Sequence, residues 1–538
     1  MGLFYFQLFL LVILQLLLTV LQMVGTFPGS DHYYHIGLIK GIRANGHRFV
    51  LSHPNMIGEK HFSYPQLYHW VLSFLPSRTF DKTYNFVGIS LFVMFLQVVL
   101  FLLFCYTVYP FMPITIQLEN FMLVSGLIFV ITPFSYAIWN AKNIGISARG
   151  FGLLLGQIYL YFIMWYFLFG NTLFLFIAFL IAFIIILSSQ FTMQFVLFSA
   201  PLFAMFFGNV SFLLVPVVTL GMFFLLMPNI ARNFVMGQVG HKTLYYKYLA
   251  EKFILNFRHS IWRDFVYDFW LKIRNNYKSG ILYIYNNPLM SILIGMPFFS
   301  FSVACYILDK HVRNLILSEP GMLYIAIPIL ACFIIFVLTS FRKTRFLGEP
   351  ERYMEFCIPQ ICIISITIFS QNIVLLCVGI GMSLTLVLFQ FLLERIMEKR
   401  WGPRISQLLP KFLALMQAED NDSDYSKRIF SNNTDVLKHF IGYDWQVLMI
   451  NLTSHYTGSL HFKDIFPVQY SHVGKKAISP LLEQFDICWF ILDCRLLPSY
   501  ECLLESDRFR LIDKGTVDHF SVFRVCTKMQ LGDKHSSF

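Results

Sequence analysis

Charged residues are scarce in this sequence of 538 residues. Asp, Glu, Lys and Arg together make up 13% of it, whereas about a quarter of an average soluble protein is charged. Hydrophobic residues make up 57%, and 61 residues are Phe. An ionised group at the centre of a bilayer costs about 2.5–3.5 kcal/mol, so membrane proteins confine their charges to loops. The charges here are confined in this way, which excludes an ordinary soluble protein and predicts a polytopic membrane protein.

The sequence also lacks the motifs of several function classes. No segment resembles a nucleic-acid-binding module, although the formal net charge is +11. The basic residues lie in loops between apolar runs, which favours membrane lipid or a phosphorylated lipid as the partner and no nucleic acid. The tail has no Gly-rich phosphate loop and no catalytic triad signature. Its four Cys residues form no C-x-x-C pair, so no zinc site is expected and no disulfide pairing can be assigned.

Eleven apolar runs predict an α-helical polytopic membrane protein with about eleven transmembrane helices. The first run has no charged residue before it and no clear cleavage site after it, which favours a retained helix over a signal peptide. Several runs between 170 and 227 are shorter than the ~20 residues that a straight span needs. The runs are residues 3–24, 86–109, 119–139, 152–169, 173–189, 193–207, 211–227, 286–307, 322–340, 355–370 and 373–393.

Long polar loops follow the odd-numbered spans, so these loops and the tail share one side of the membrane. The largest loops are 25–85 and 228–285, and the second has the alternating basic and aromatic residues of horizontal amphipathic helices. We therefore expect a transmembrane domain over 1–393 and a soluble domain over 394–538. The count of Lys and Arg places the polar side in the cytoplasm, although that rule weakens for loops of about 60 residues.

The tail has the pattern of a small α/β domain. Short apolar runs at 445–453 and 487–493 predict buried strands, and 475–486 and 498–506 predict helices. Residues 509–525 predict a hairpin that turns near Lys514 and Gly515. We expect this domain to pack over a site at the membrane.

The start of the first polar loop holds the most informative group of side chains. Asp31 follows the first span by a few residues, and His32 and His35 come next in an amphipathic segment. An acid beside two imidazoles at the membrane boundary could deprotonate an acceptor hydroxyl. Asp is also a common N-cap, so Asp31 could instead cap a helix that begins at His32. The two roles do not exclude each other.

Four segments in order resemble one family. They are Asp31 to His35 with the pattern D-x-x-Y-H, "YPQLYH" from Tyr64, "ISARGFGLLL" at 146–155 and "RFLGEPERYMEF" at 345–356. Together with the large first loop and the soluble tail, they resemble the GT-C superfamily of glycosyltransferases that use polyprenyl-phosphate sugars. That superfamily includes oligosaccharyltransferase catalytic subunits and protein mannosyltransferases.

The resemblance implies roles for specific residues. Asp31 would be the catalytic acidic residue, and Arg149, Arg345 and Arg352 would hold the phosphate of a lipid-linked donor. A guanidinium suits this role through its permanent charge and forked donors. Arg345 and Arg352 could instead snorkel at a helix end. The other residues expected around the substrates are His32, His35, Glu349, Glu351 and Tyr353, and the two Glu could pair with Arg, contact sugar hydroxyls or do neither.

Metal-dependent members of the superfamily carry a second acidic motif before the fourth span. Here 140–151 contains no Asp or Glu. His32 and His35 could hold a divalent ion with Asp31, but a His near a membrane surface more often makes hydrogen bonds. We therefore expect a metal-independent mechanism and no certain cofactor.

The function implied by the resemblance is transfer of a sugar from a polyprenyl-phosphate-linked donor. The acceptor would be a glycan, lipid or protein on the extracytoplasmic face of a membrane, as in a bacterial plasma membrane. One alternative is a transporter or flippase of lipid-linked saccharide, which would place ionisable residues or repeated halves in the membrane. Almost no charges and no evident repeat are found in the spans. The other alternative is a non-catalytic subunit of a glycan-assembly complex.

Overall fold

The computed structural model describes most of the chain. The described residues are 2–23, 30–59, 61–81, 83–136, 145–244, 246, 270–271, 273–275, 287–341, 344, 347–400, 405–419, 427–449, 475–495, 509–517 and 519–525. Arg345, the helix expected at 498–506 and much of the loop 228–285 lie outside these residues.

Helices make up most of the first 244 residues. They are α1 (Gly2–Met23), α2 (Ser30–Ala44), α3 (Leu67–Ser73), α4 (Arg78–Asp81), α5 (Thr83–Val108), α6 (Leu118–Val130), α7 (Ala148–Phe169), α8 (Thr172–Ser188), α9 (Gln190–Phe206), α10 (Ser211–Leu226) and α11 (Pro228–Leu244). Short 3₁₀ turns follow α5 and α6. Side chains cap the N-termini of α7 and α8. The Ser147 hydroxyl accepts the Arg149 N–H, and the Asn171 amide oxygen accepts the Leu173 N–H.

Six more helices of the membrane part lie in the described residues from 287 to 400. They are α12 (Pro288–Gly295), α13 (Pro297–Leu308), α14 (Lys310–Ser318), α15 (Pro320–Thr339), α16 (Ile358–Phe369) and α17 (Ile373–Arg400), with a 3₁₀ helix at Pro350–Cys357 before α16. The axes of α12 and α13 meet at 90°. Pro297 at the junction lacks an N–H and cannot continue the hydrogen bonding of the helix before it.

The described helices confirm a polytopic membrane protein but not the count of eleven spans. Among them, seven are long and apolar enough to cross a bilayer, and the bent pair α12–α13 would make an eighth. Helices α8, α9 and α10 are apolar but have 17, 17 and 16 residues, fewer than the ~20 that a straight span needs. One continuous hydrophobic core joins these elements.

The tail forms the expected small α/β domain. The helices in its described residues are α18 (Ile405–Glu419), α19 (Thr434–Ile441) and α20 (Lys475–Gln484). Its strands are β1 (Arg428–Ser431), β2 (Gln446–Val447), β3 (Trp489–Asp493), β4 (Phe509–Val517) and β5 (Phe520–Val525). The sheet order is β2-β1-β3-β5-β4. Strand β1 is parallel to β2 and β3, and β5 is antiparallel to β3 and β4.

The predicted hairpin at 509–525 is confirmed, but the turn predicted near Lys514 and Gly515 lies between Val517 and Phe520 instead. Strand β4 continues through Lys514 and Gly515 to Val517, and pairing resumes at Phe520. The register shifts between Leu511 and Asp513 and again between Lys514 and Val517. Such irregularities let Gly515 lie within a strand instead of in the turn that a glycine normally signals. Strand β1 and helix α19 were not among the elements predicted from the sequence.

The first polar loop and the tail are packed together. The Val447 N–H donates to the Asn55 carbonyl at 2.8 Å, and the Ile57 N–H donates to the Val447 carbonyl at 2.9 Å. Met56 is buried in the core of the tail domain. The loop therefore pairs with β2 and carries its preceding helix α2 against the tail.

Helices α2 and α19 approach closely because Gly37 in α2 and Gly442, which directly follows α19, lie at the contact. A Cβ on Gly37 would overlap the Ile441 Cγ2, with the Ile441 carbonyl oxygen 3.3 Å away. A Cβ on Gly442 would lie 2.9 Å from the Tyr33 ring. At a second point, Lys40 Nζ donates to the Gly442 carbonyl at 2.9 Å and pairs with Asp444 at 3.3 Å.

Gly37→Ala should loosen the tail from the membrane part. Forcing extra atoms into a packed contact typically costs ~1–3 kcal/mol, so we expect a lower thermal midpoint and faster proteolytic separation of the two parts. Gly88→Ala in α5 is the matched control, because a Cβ there meets no atom within 4 Å. Equal stability and proteolysis rates for the two variants would show that the glycine contact does not hold the tail in place.

Candidate active site

Asp31 lies in the first turn of α2, which begins at Ser30. The helix therefore starts before Asp31, and the capping role considered for a helix beginning at His32 is wrong. Protein atoms surround Asp31 closely, yet 71% of its side-chain surface is open to solvent. We call the surroundings of this carboxylate, which include Arg149 and Lys438, the recess. The N-terminus of α2 also favours a negative charge there.

The carboxylate of Asp31 contacts a cation from the tail. Lys438 Nζ in α19 donates to Asp31 Oδ1 at 2.7 Å. The Lys438 ammonium holds the pKa of Asp31 well below its usual range, against the raising effect of burial, and the charges of His35 and Arg149 act in the same direction as Lys438. Asp31 is therefore ionised at physiological pH.

Arg149 approaches the same point from the start of α7. Its backbone N–H is capped by the Ser147 hydroxyl at 3.2 Å, which fixes the first turn of α7. Its guanidinium acts electrostatically on Asp31, His35 and Tyr64. The structure thus brings together Asp31, Arg149 and Lys438 from the first loop, the start of a span and the tail.

His32 and His35 are buried in protein contacts around Asp31. His32 Nδ1 accepts the backbone N–H of Ile146 at 2.8 Å, which ties α2 to the segment leading into α7. Burial lowers the pKa of His32 to about 3 and that of His35 to about 4. His32 is therefore neutral, with its proton on Nε2. Gly145 has φ +97° and lies against the His32 ring, where a Cβ would be 3.1 Å from Nδ1.

His35 also contacts a third imidazole, that of His69. His35 Nδ1 is 2.8 Å from His69 Nε2, so one ring donates to the other. Burial also lowers the pKa of His69 well below its usual value. Tyr64 makes ring contacts with both His35 and His69. This aromatic cluster supports the wall of the recess next to Asp31.

The residues predicted around 349–353 lie on the 3₁₀ helix before α16. Glu349 and Arg352 form an ion pair, which is one of the alternatives left open from the sequence. Glu351 and Tyr353 are buried. The Tyr353 hydroxyl is 3.4 Å from the side-chain amide of Gln194 in α9.

Gln194 connects these residues to Lys242. Its amide oxygen accepts from Lys242 Nζ at 2.8 Å, and its amide nitrogen donates to the Leu347 carbonyl at 3.0 Å. Burial lowers the pKa of Lys242 to about 8. Lys242 lies near the end of α11, and α11 also contacts the first loop, because Gln238 Nε2 donates to the Ser63 carbonyl at 3.1 Å.

Helix α7 links the two groups of residues. A Cβ on Gly152 would overlap the Ser189 hydroxyl that caps α9, and a Cβ on Gly156 would lie 2.5 Å from Phe356. Helix α9, which carries Gln194, and the 3₁₀ helix, which carries Arg352, therefore pack directly on α7 behind Arg149.

Several atoms of the recess that could bind a divalent metal already have protein partners. Lys438 holds Asp31 Oδ1, His32 Nδ1 accepts the Ile146 N–H, and His35 Nδ1 is engaged with His69. Within the described part of the chain, no three His, Cys, Asp or Glu side chains are arranged to hold a metal ion.

Lys438, His69, Lys242 and Gln194 were not identified from the sequence as site residues. Lys438 follows an Asn433 cap in "NTDVLKHF", which signals a helix start but gives no sign of contact with the first loop. Its partner Asp31 is 407 positions away. Lys242 and Gln194 lie in segments expected to be an amphipathic loop and a span.

Solved structures decide which fold this is. The Archaeoglobus fulgidus oligosaccharyltransferase in its apo form aligns with a TM-score of 0.57 at 12% identity, covering 91% of this chain and 70% of that one. This chain has the GT-C fold. The same archaeal protein with Zn and sulfate gives a TM-score of 0.55 at 12% identity, over 90% of this chain and 68% of that one. Its complex with an inhibitory peptide and a dolichol-phosphate gives 0.53 at 11% identity, over 91% and 70%.

Sequence comparisons find no relative for this GT-C chain. No protein-family model matches it, and no curated protein sequence matches it significantly. At identities of 11–12%, the structural likeness establishes the fold alone. Because one fold can carry many activities, the side chains around Asp31 determine what this protein does.

Proposed function

We propose that this protein is a membrane glycosyltransferase that moves a sugar from a polyprenyl-phosphate-linked donor to an acceptor glycan, lipid or protein. The observation that carries the proposal is the meeting of Asp31, Arg149 and Lys438 in one recess of a GT-C fold. A GT-C neighbour was solved with a dolichol-phosphate and a peptide, which agrees with a lipid-linked donor and a separate acceptor.

The arrangement suits displacement of a phosphate leaving group. An acceptor oxygen forms a bond to the anomeric carbon, while the bond from that carbon to the phosphate oxygen breaks and its electron pair stays on the phosphate. The growing negative charge needs fixed cations, and a preorganised guanidinium supplies one without reorganisation. Arg149 has this role, aided by the positive end of α7.

Asp31 acts on the acceptor side of the same reaction. Because it is ionised, it accepts a hydrogen bond from the acceptor hydroxyl and turns the oxygen toward the anomeric carbon. Its lowered pKa makes it a weak base, so the acceptor proton moves to it only late, as the new bond forms. Arg352, Glu349 and Tyr353 are proposed to complete the donor side, where the ion pair of Arg352 with Glu349 limits how much charge Arg352 offers to a phosphate.

Transfer by the purified protein in lipid vesicles tests the proposal. Labelled polyprenyl-phosphate sugars should lose their sugar to an added acceptor, with a new glycosidic bond detected by mass spectrometry. The matched control is the same sugar on a nucleotide, which should give no product. Movement of the lipid-linked sugar across the vesicle without a new bond would instead make the protein a transporter, and carrier binding without transfer would make it a non-catalytic subunit.

We also propose that the recess and the tail face the extracytoplasmic side. The loops that form the recess share one side with the tail, because Asp31 and Lys438 touch. Arg48→Cys and Gln484→Cys, both at exposed positions, should react with a membrane-impermeant maleimide in intact cells. Labelling of both only after permeabilisation would place the recess in the cytoplasm, as the Lys and Arg count indicates.

A further inference from the structure

Lys438 places its ammonium directly on the carboxylate of Asp31. In metal enzymes, a catalytic carboxylate often holds a metal ion at this position. Lys438 Nζ is 2.7 Å from Asp31 Oδ1, which is the distance of a strong charge-assisted hydrogen bond. The Nδ1 atoms of the nearest imidazoles, His32 and His35, are engaged with Ile146 and His69. The carboxylate therefore has a protein cation as its partner.

The tail domain holds Lys438 firmly in this position. Asn433 caps α19 by accepting the Asp435 N–H at 2.9 Å, and its amide donates to Asp493 Oδ2 at 2.9 Å. Asp493 is fully buried at the end of β3 and is also bound by Arg495 at 2.9 Å. This network anchors the N-terminus of α19 to the sheet.

Contacts between α2 and α19 also hold Asp31 and Lys438 next to each other. Tyr33 lies two residues after Asp31, and His439 directly follows Lys438. The centroids of their rings are 4.3 Å apart. Gly37 and Gly442 allow the two helices to approach closely. Only 25% of the Lys438 side chain is exposed, so surrounding residues restrict its position beside Asp31.

We propose that Lys438 is the resident cation of the active site: the tail domain supplies an ammonium that takes the place of a divalent metal beside Asp31 and positions its carboxylate. This inference rests on the proposed function. It gives the tail a direct part in the reaction, because Lys438 of α19 is the cation that contacts Asp31 Oδ1 among the residues that the structure describes. Lys438 is a positioning residue, because it acts on the acceptor through Asp31.

The inference predicts how the ionisation of Asp31 responds to loss of Lys438. Lys438→Gln removes the nearest positive charge, and an opposite charge at this range lowers a carboxyl pKa by about 1–3 units. We expect the acid limb of the kcat profile to move upward by at least about one pH unit, while Lys438→Arg keeps the parental profile. The other titratable groups that act on or are influenced by Asp31 are His35, Arg149, Tyr34 and Tyr64, and all remain in the variant.

Lys40→Gln is the matched control. It removes another Lys–Asp pair across the same interface, between Lys40 in α2 and Asp444 in the segment after α19. If weaker docking were the whole effect of Lys438→Gln, both variants would lose activity to a similar extent without a shift of the acid limb. That result would overturn the proposal.

Metal dependence supplies a second test. The parent protein should keep its transfer rate in the presence of a chelator and should show no bound Mn²⁺ by electron paramagnetic resonance. Lys438→Asp, which exchanges the ammonium for a second carboxylate, should gain Mn²⁺ binding that Asp31→Asn abolishes. Loss of parental activity with chelator and its return with Mn²⁺ would contradict the resident-cation role.

Infrared difference spectra between parent and Asp31→Asn protein report the protonation of Asp31 without any transfer assay. A titration midpoint that rises in Lys438→Gln but not in Lys40→Gln would uphold the Lys438 contact even if no donor were used, and only the proposed function would then fail. Transfer activity with an unmoved midpoint would overturn the Lys438 inference and leave the proposed function standing.

Discussion

Asp31→Asn should lower the transfer rate by ~10²–10⁴-fold, the usual contribution of a group that takes a proton in the transition state. Asparagine keeps the size and one oxygen of the side chain, but it cannot accept the proton of the acceptor. It also leaves Lys438 without the negative charge it contacts at 2.7 Å. Initial rates with a labelled lipid-linked sugar, at equal amounts of folded protein, measure the effect.

Asp444→Asn is the control for this substitution. Asp444 pairs with Lys40 across the same interface, so the control removes one Asp–Lys pair without touching the recess. We expect it to retain the parental rate. Near-parental turnover of Asp31→Asn would eliminate Asp31 as the catalytic residue.

Arg149→Ala should weaken use of the donor by roughly tenfold to hundredfold, because a hydrogen bond to a charged group is worth about 1.5–3 kcal/mol. The loss should be largest in kcat if the guanidinium acts mainly on the leaving phosphate, and Arg149→Lys should restore only part of it because an ammonium lacks the forked geometry. Steady-state kinetics over a range of donor concentrations separate kcat from KM.

Arg313→Ala is the control for loss of an arginine. Arg313 is exposed on α14, and its guanidinium donates to the Ile307 carbonyl at 3.2 Å. Helix α14 is not among the elements that form the recess. Unaltered donor kinetics in a stably folded Arg149→Ala protein would assign Arg149 a structural role at the start of α7.

Local signals in the sequence predicted much of the architecture. Apolar runs located the long spans, since a run such as 373–393 has no other favourable environment than lipid or protein core. Strand β3 and the hairpin of β4 and β5 followed from short apolar runs with polar ends. The ordered motifs around Asp31 and Arg149 pointed to the GT-C fold, which the structural neighbours confirm.

Features that depend on distant contacts could not be predicted from the sequence. The pairing of Asp31 with Lys438 joins positions 407 apart, and no local pattern encodes it. The angle of 90° between α12 and α13 was also not predicted, because a proline such as Pro297 signals a break in a helix but not the direction that the chain takes after it. The turn after Val517 was missed because Gly515, the usual turn signal, lies within β4 at an irregularity between Lys514 and Val517.

A structure of the protein with a bound polyprenyl phosphate, determined by electron cryo-microscopy, would test the central claim most directly. The account predicts that the lipid phosphate contacts Arg149 at the start of α7, with the Asp31 carboxylate beside it and Lys438 still on Asp31 Oδ1. A phosphate bound away from this recess, in protein that is active with the same lipid-linked sugar, would contradict the account.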